Sequence, residues 1–354
     1  MKSSQQIVRL RKTLLAHYDA CGRSLPWRIR PEDRAAGVIA DPYKVWLSEI
    51  MCQQTTVSAV TPYWHKFLQK WPCVENLACA PRDEVLAAWA GLGYYARARN
   101  LHKCAGMIMD EFGGVFPNTE AGLLKLPGVG PYTAAAISSI CYGEATNIVD
   151  GNVERVISRL RMVQALLPKA RTEIRILAGV IADPKRAGDY GQALMDLGSQ
   201  VCKPKNPKCG MCPWEFACLA GKAGVAEDYP KKIKKQTRPV RYGAVFYLEN
   251  GGEILLRRRP DKGLLGGMME LPGTEWGAER EAVDKMLAHA PSSHNWQQCA
   301  KEVSHVFTHF TLYLNVFVAQ GGDVNTGIWA SLDRLDTYAL PSLMRKAIRS
   351  AQSL

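Results

Sequence analysis

Residues 126–134 read LPGVGPYTA: two glycines, Gly128 and Gly130, set between a Leu-Pro step and the start of a helix that Thr133 helps to begin. Glycines at such a place let backbone N–H groups approach a phosphate closely at a helix N-terminus. Taken alone, two glycines make only a tight turn. The stretch gains weight from its surroundings: a basic chain, VDGNVERV at residues 149–156, and four cysteines clustered between Cys202 and Cys218.

The chain has 354 residues, 47% of them hydrophobic, which leaves room for two domains with cores of their own. Lys and Arg number 45 against 33 Asp and Glu, a formal charge of +12. Such an excess suits a polyanionic partner such as nucleic acid, with a basic membrane-surface protein as the plainer rival. No apolar run approaches the ~20 residues of a membrane span, and MKSSQQIVRLRKTLLAHYDA is amphipathic without a long apolar stretch. The expected location is cytoplasmic.

Of the eleven cysteines, seven (Cys21, Cys52, Cys73, Cys79, Cys104, Cys141 and Cys299) are scattered through apolar or helical contexts and are expected to be buried small hydrophobes. The other four lie in CKPKNPKCGMCPWEFAC, separated by six, two and five residues. In a reducing compartment clustered thiols read as metal ligands. Only Cys209 and Cys212 form a close pair of the kind zinc favours, while four thiolates in a short loop also suit an iron–sulfur cube. Spacing alone leaves both open.

Outward from the hairpin, the first two-thirds of the chain reads as helical. DPYKVWLSEIMCQQTTVSAV offers Asp41 as N-cap, Pro42 at the first helical position, and apolar residues from Val45 to Val60. DEVLAAWAGLGYYARARNLHKCAGMIMDEF gives two helical runs broken at Gly91 and Gly93, GNVERVISRLRMV an amphipathic helix, and RAGDYGQALMDLGSQVC a helix that leads into the cysteine loop. Residues 222–240 are Lys-rich and read as a linker. Beyond them alternating runs such as RYGAVFYLE and HVFTHFTLYLNVFVAQ predict an α+β domain.

The pattern resembles a known family. LPGVGPYTA is similar to the hairpin of helix-hairpin-helix DNA glycosylases, VDGNV to their aspartate segment, and C-x6-C-x2-C-x5-C to their [4Fe–4S] loop. LPWR, WLSEIMCQQT, GLGYYARARNL and the C-terminal part extend the resemblance to the MutY family of adenine DNA glycosylases, over nearly the whole chain. It implies a mainly α helix-hairpin-helix glycosylase domain, 1–221, with a [4Fe–4S] loop at 202–218, followed by the linker and a Nudix-like α+β domain at 241–354. It also implies a monomer that excises adenine paired with 8-oxoguanine or guanine in double-stranded DNA, using no membrane.

Breaking an adenine N-glycosidic bond calls for an acid at the base and a carboxylate at the cationic sugar. The resemblance places these roles on Glu49 and Asp150, with Tyr132 and Asn152 lining the same pocket. Without it, Glu49 is an ordinary helix residue and Asp150 an N-cap. Apolar neighbours Trp46, Leu47 and Ile50 would desolvate Glu49 and keep its carboxyl protonated. At position 132 bifunctional relatives of the endonuclease III type carry a lysine, so the phenol implies a glycosylase without Schiff-base lyase activity. A catalytically silent iron–sulfur DNA-binding protein is the rival from another class.

The cluster is assigned Cys202, Cys209, Cys212 and Cys218, with Lys203, Lys205 and Lys208 facing phosphates. Base extrusion is assigned Gln53 and Gln54 as a wedge, Tyr94 as an intercalator, and Arg97 and Arg99 as phosphate contacts. Trp27, Arg28 and Gln192 resemble adenine-pocket residues, although IRPEDRAAGVIA after Arg28 is longer than the usual connection. In the C-terminal domain GLLGGMMELPGTEW resembles the start of a Nudix fold, yet EREAVDKMLAHA lacks the paired glutamates that hold Mg²⁺ for pyrophosphate hydrolysis. VSHVFTHF is similar to the loop that reads 8-oxoguanine, with Ser304 and His305 as donors and Val303 where a phenylalanine often stacks.

Overall fold

The computed structural model describes residues 4–233 and 237–354; Lys234, Lys235 and Gln236 of the expected linker lie outside the described residues. Its helices are α1 (Ser4–Cys21), α2 (Pro31–Ala35), α3 (Pro42–Cys52), α4 (Val57–Lys70), α5 (Val74–Cys79), α6 (Arg82–Trp89), α7 (Ala96–Phe112), α8 (Glu120–Leu123), α9 (Pro131–Tyr142), α10 (Gly151–Arg161), α11 (Arg171–Ile181), α12 (Ala187–Asp196), α13 (Leu219–Lys222), α14 (Val283–Leu287) and α15 (Ser342–Ala351). Two compact units result. One comprises Met1–Trp64, Trp71–Glu75 and Lys103–Lys234, the other His65–Lys70, Asn76–His102 and Lys235–Leu354. Among the described residues no helix is long and apolar enough to cross a membrane.

In the first unit Asp41 caps α3, its Oδ1 accepting the Tyr43 N–H at 2.9 Å. The run expected to continue to Val60 breaks after Cys52, where Gln54 takes a left-handed φ of 56° and α4 restarts at Val57. The hydroxyls explain the break: Thr55 donates to the Gln53 carbonyl and Thr56 accepts from the Ala59 N–H, so both compete with helical backbone bonds. The hairpin turns at Gly128, whose φ of 77° only glycine adopts without strain, and Gly130 then caps α9 with Pro131 in its first turn. From Thr133 to Ile140 every residue of α9 is buried, and the helix packs against α3 and α12. Trp214, fully buried, donates its indole N–H to the Leu10 carbonyl at 3.0 Å and so ties the cysteine loop to α1.

Within residues 222–233, expected to begin a linker, most residues are exposed, but Ala226 and Tyr229 are buried and Lys232 bridges Leu167 in parallel, which anchors the stretch. The scattered cysteines differ from expectation in part. Cys104 and Cys299 are buried, but Cys21, Cys73 and Cys79 are exposed because they stand at or beside helix ends.

In the second unit the strands are β1 (Val240–Asn250), β2 (Glu253–Arg258), β3 (Met269–Glu270), β4 (Gln297–Gln298), β5 (Val303–Val306), β6 (Thr311–Gln320) and β7 (Ile328–Ser331). The sheet runs β3-β2-β1-β6-β4, with β5 also on β6 and β7 on β2. The central β1 and β6 are parallel over ten residue pairs, Val240 with Thr311 through Glu249 with Gln320. Phe246 stacks on Phe317 at 5.6 Å above Ala244 and Met286, which seats α14.

Residues 76–102 also belong to this unit. Arg82 pairs with Asp261, and Asp83 takes both guanidinium nitrogens of Arg258 at 2.6 and 2.8 Å. Arg99 donates to the Gly266 carbonyl at 2.6 Å.

Candidate active site

A cavity of about 360 Å³ in the first unit is lined by seven of the residues singled out in the sequence: Trp27, Arg28, Glu49, Tyr132, Asp150, Asn152 and Gln192. Glu49 projects into it from the buried face of α3. Burial raises its carboxyl above the usual range; the Tyr132 hydrogen bond and the charge of Arg28 oppose this, and Asp150 adds to it. Desolvation dominates because a charged carboxylate loses its water here and gains one phenol in return. The Tyr132 hydroxyl donates to Glu49 Oε2 at 2.7 Å, leaving Oε1 for a proton. Burial also holds the Tyr132 phenol far above its ordinary pKa, so it stays neutral.

Asp150 is both cap and site residue. Its Oδ1 accepts the Val153 N–H at 2.8 Å at the head of α10, and its Oδ2 accepts from Asn152 Nδ2 at 2.7 Å. A chain of bonds continues behind it. Arg155 Nη2 donates to Asn152 Oδ1 at 3.0 Å and to the Gly198 carbonyl at 2.7 Å, while its Nε reaches the Cys202 carbonyl at 2.8 Å. Asn152 lies so close to Gly198 that a Cβ there would stand 2.6 Å from its own Cβ and 3.2 Å from its backbone. A Gly198→Ala protein should therefore fold with a loss of about 1–3 kcal/mol and excise base roughly tenfold more slowly, read by thermal melting and single-turnover rates.

Trp27 and Gln192 also have partners within the protein, whereas Gln53, Gln54, Gly130 and Tyr94 are not among the residues lining the cavity. Trp27 stacks obliquely on Trp64, 5.7 Å between centroids, and Gln192 is buried with its amide on the Gly188 carbonyl. Gln53 donates to Thr133 Oγ1 at 3.3 Å, and Gln54 is exposed in its left-handed turn. A side chain at Gly130 would meet open space, as a backbone that receives a ligand requires. Tyr94 is exposed with a φ of 47°.

Arg97, expected on a phosphate, is not presented, while Arg99 is half-buried with one nitrogen on the Gly266 carbonyl. Arg97 is buried against Trp89 and gives its Nη2 to the Leu92 and Gly93 carbonyls, because the loop between α6 and α7 leaves those carbonyls without helical partners.

Ser304 and His305 lie in β5 rather than in a loop. Ser304 is exposed, whereas His305 is half-buried, and burial followed by the nearby Lys346 lowers its pKa. Val303 is buried opposite Leu314 and has no free face to stack. The turn that follows presents what the strand does not: the Thr308 hydroxyl lies 3.1 Å from the Tyr94 hydroxyl in the same unit, beside exposed His309, on a base of Phe307, Phe310 and Trp276. The second hydroxyl–imidazole pair in VSHVFTHF is the signal that could have shown it.

The four clustered cysteines line one cavity of about 120 Å³. Among the described residues no three His, Cys, Asp or Glu side chains converge closely enough for a single metal ion. The four sulfurs stand around one void, a donor set that fits a metal group. The Gly221 N–H donates to Cys218 Sγ at 3.4 Å and Arg159 Nη1 to Cys202 Sγ at 3.3 Å, bonds that favour sulfur carrying negative charge. Arg159 is itself fully buried and also binds the carbonyls of Tyr229, Lys203 and Pro204. Lys203, Lys205 and Lys208 are exposed.

Residues 47–179 match the HhH-GPD superfamily base excision DNA repair protein family, and residues 244–350 match the NUDIX domain. The human adenine DNA glycosylase is 34% identical over 410 residues, covering 98% of this chain and 74% of that protein. The chain belongs to the adenine DNA glycosylases. The enzyme of this name from Buchnera aphidicola subsp. Schizaphis graminum is 31% identical, with 95% of this chain and 96% of that protein covered. The solved structure of a thermostable thymine-DNA glycosylase superposes with a TM-score of 0.56 at 27% identity, over 62% of this chain and 99% of that one. A non-covalent endonuclease III–DNA complex shares the fold at a TM-score of 0.52 and 23% identity, over 64% and 99%.

As an adenine DNA glycosylase the chain is a hydrolase of N-glycosyl bonds in base excision repair. The helical domain carries the cavity and the Nudix domain the sheet.

Proposed function

We propose that this enzyme removes adenine opposite 8-oxoguanine or guanine in double-stranded DNA, by hydrolysis alone, and that Cys202, Cys209, Cys212 and Cys218 hold a [4Fe–4S] cluster. The observation that carries the reading is the convergence of Glu49, Tyr132, Asp150 and Asn152 on one cavity. Extruded adenine enters that cavity, between Trp27 and the amide of Gln192. Glu49 Oε1 gives its proton to the base at N7. The C1′–N9 bond then breaks with its electron pair passing to adenine, and the carboxylate of Asp150 faces the cationic sugar. Water adds at C1′ and returns its proton to Glu49. The leaving base is neutral and the strand stays joined.

A phenol at position 132, and no lysine among the described residues lining the cavity, support hydrolysis without a Schiff base. When bound, the cluster supplies a rigid scaffold for its loop, whose exposed lysines meet phosphates. Reading of the opposite base falls to the Thr308–His309 turn with Tyr94, with Ser304 beside it and His305 beneath.

The test is a duplex with one adenine opposite 8-oxoguanine, assayed for strand breaks with and without alkali. Breaks should appear only after alkali, and borohydride should trap no protein on the DNA. Breaks without alkali, with trapped protein, would refute the monofunctional reading. Because Glu49 acts as an acid with a raised pKa, release should slow as pH rises through that value, about tenfold per pH unit beyond it.

A further inference from the structure

Arg28 poses a problem for the acid step. Its guanidinium lines the cavity with Glu49, and a cation there favours the carboxylate that Glu49 must not become. The solution lies at the end of α12. Asp196 is buried, and its two oxygens receive three donors: the Arg23 N–H at 2.9 Å, Arg23 Nε at 2.5 Å and Arg28 Nη1 at 2.8 Å. The Arg28 and Asp196 side chains are each only 7% exposed, so solvent screens this pair little. No composition or spacing marked Asp196, which reads as an ordinary residue of QALMDLG.

We propose that Asp196 is a positioning residue of the base-release step: it anchors Arg28 in the cavity and occupies its charge, so that Arg28 can bind the flipped base without drawing the proton from Glu49. The inference rests on the function proposed above. The groups facing Glu49 are Tyr132 and Cys141 from α9, Asp150 from the head of α10 and Arg28, with Cys52 on its own helix beside Tyr132. Around Arg28 stand Asp196 from α12 and Tyr18 from α1. Asp196 is the member of this set that binds Arg28 directly.

The experiment measures single-turnover adenine release by the full-length enzyme across pH, for the parent, Asp196→Asn and Arg28→Gln/Asp196→Asn. Asparagine keeps the size of the side chain and an acceptor for Arg23. With Arg28 and Arg23 both losing their counter-charge, Asp196→Asn should lose roughly tenfold on the alkaline limb of the parent's profile and little on its acid side, the limb moving to lower pH. The double variant should return the limb to the parent's position while its overall rate remains low. A purely structural role would lower the rate equally at every pH, and that result, or an unmoved limb, overturns the proposal. A melting curve for each variant confirms that folded protein is compared. A parent that releases no adenine would instead sink the function and the inference together, which separates the two failures.

Discussion

A Glu49→Gln enzyme should bind a duplex bearing adenine opposite 8-oxoguanine as the parent does, and release its adenine at least about a thousandfold more slowly. Glutamine keeps the length of the side chain and an oxygen for the Tyr132 hydroxyl, which donates to Glu49 Oε2 in the parent. It has no acidic proton. Adenine would have to leave as an anion in a site where desolvation already penalises charge, as the raised Glu49 carboxyl shows. The paired measurements are a binding titration and a single-turnover time course, and release within tenfold of the parent would remove Glu49 from the acid role.

The second large effect should come from a residue with no direct view of the substrate. Arg159→Leu should cost about 4 kcal/mol or more and release the proposed metal cluster, seen as lost visible absorbance and iron together with a lower melting temperature. The parent guanidinium, buried on α10, serves the carbonyls of Cys202, Lys203, Pro204 and Tyr229 and the sulfur of Cys202. Leucine fills part of the volume but takes the donor from the carbonyls of Lys203, Pro204 and Tyr229 and from the Cys202 sulfur, while Arg155 still serves the Cys202 carbonyl, and the cysteine loop has no other buried cation at its mouth among the lining residues described. A folded variant with full iron content would show that the loop holds its shape unaided.

What could be read in the sequence was what local chemistry dictates. Asp41 and Pro42 start α3, Gly128 and Gly130 bend the hairpin, and Asp150 caps α10, because each of these signals acts within a few residues. The family resemblance then brought Glu49 and Asp150 into one site. What escaped were partnerships across long chain separations. Arg97 looked like a phosphate contact until its own loop claimed it, and Asp196, Arg155 and Arg159 have no meaning until α12, the cysteine loop and α10 are packed together. Arg155 and Arg159, one helical turn apart beside an apolar stripe, were the nearest thing to a warning. Thr308 belongs to the second of two hydroxyl–imidazole pairs in VSHVFTHF, and only the packing that brings it to Tyr94, far off in the chain, distinguishes it from the first.

The crossed ion pairs of Arg82 with Asp261 and Asp83 with Arg258 change what counts as a module here. Residues 76–102 sit inside the glycosylase stretch of the chain yet fold as part of the unit that holds the sheet. A cut at residue 240 would strip Arg82 and Asp83 of their partners and Tyr94 of Thr308. Anyone exchanging the C-terminal part between relatives must therefore carry residues 65–70 and 76–102 along with it: the heritable piece is three segments, not a tail.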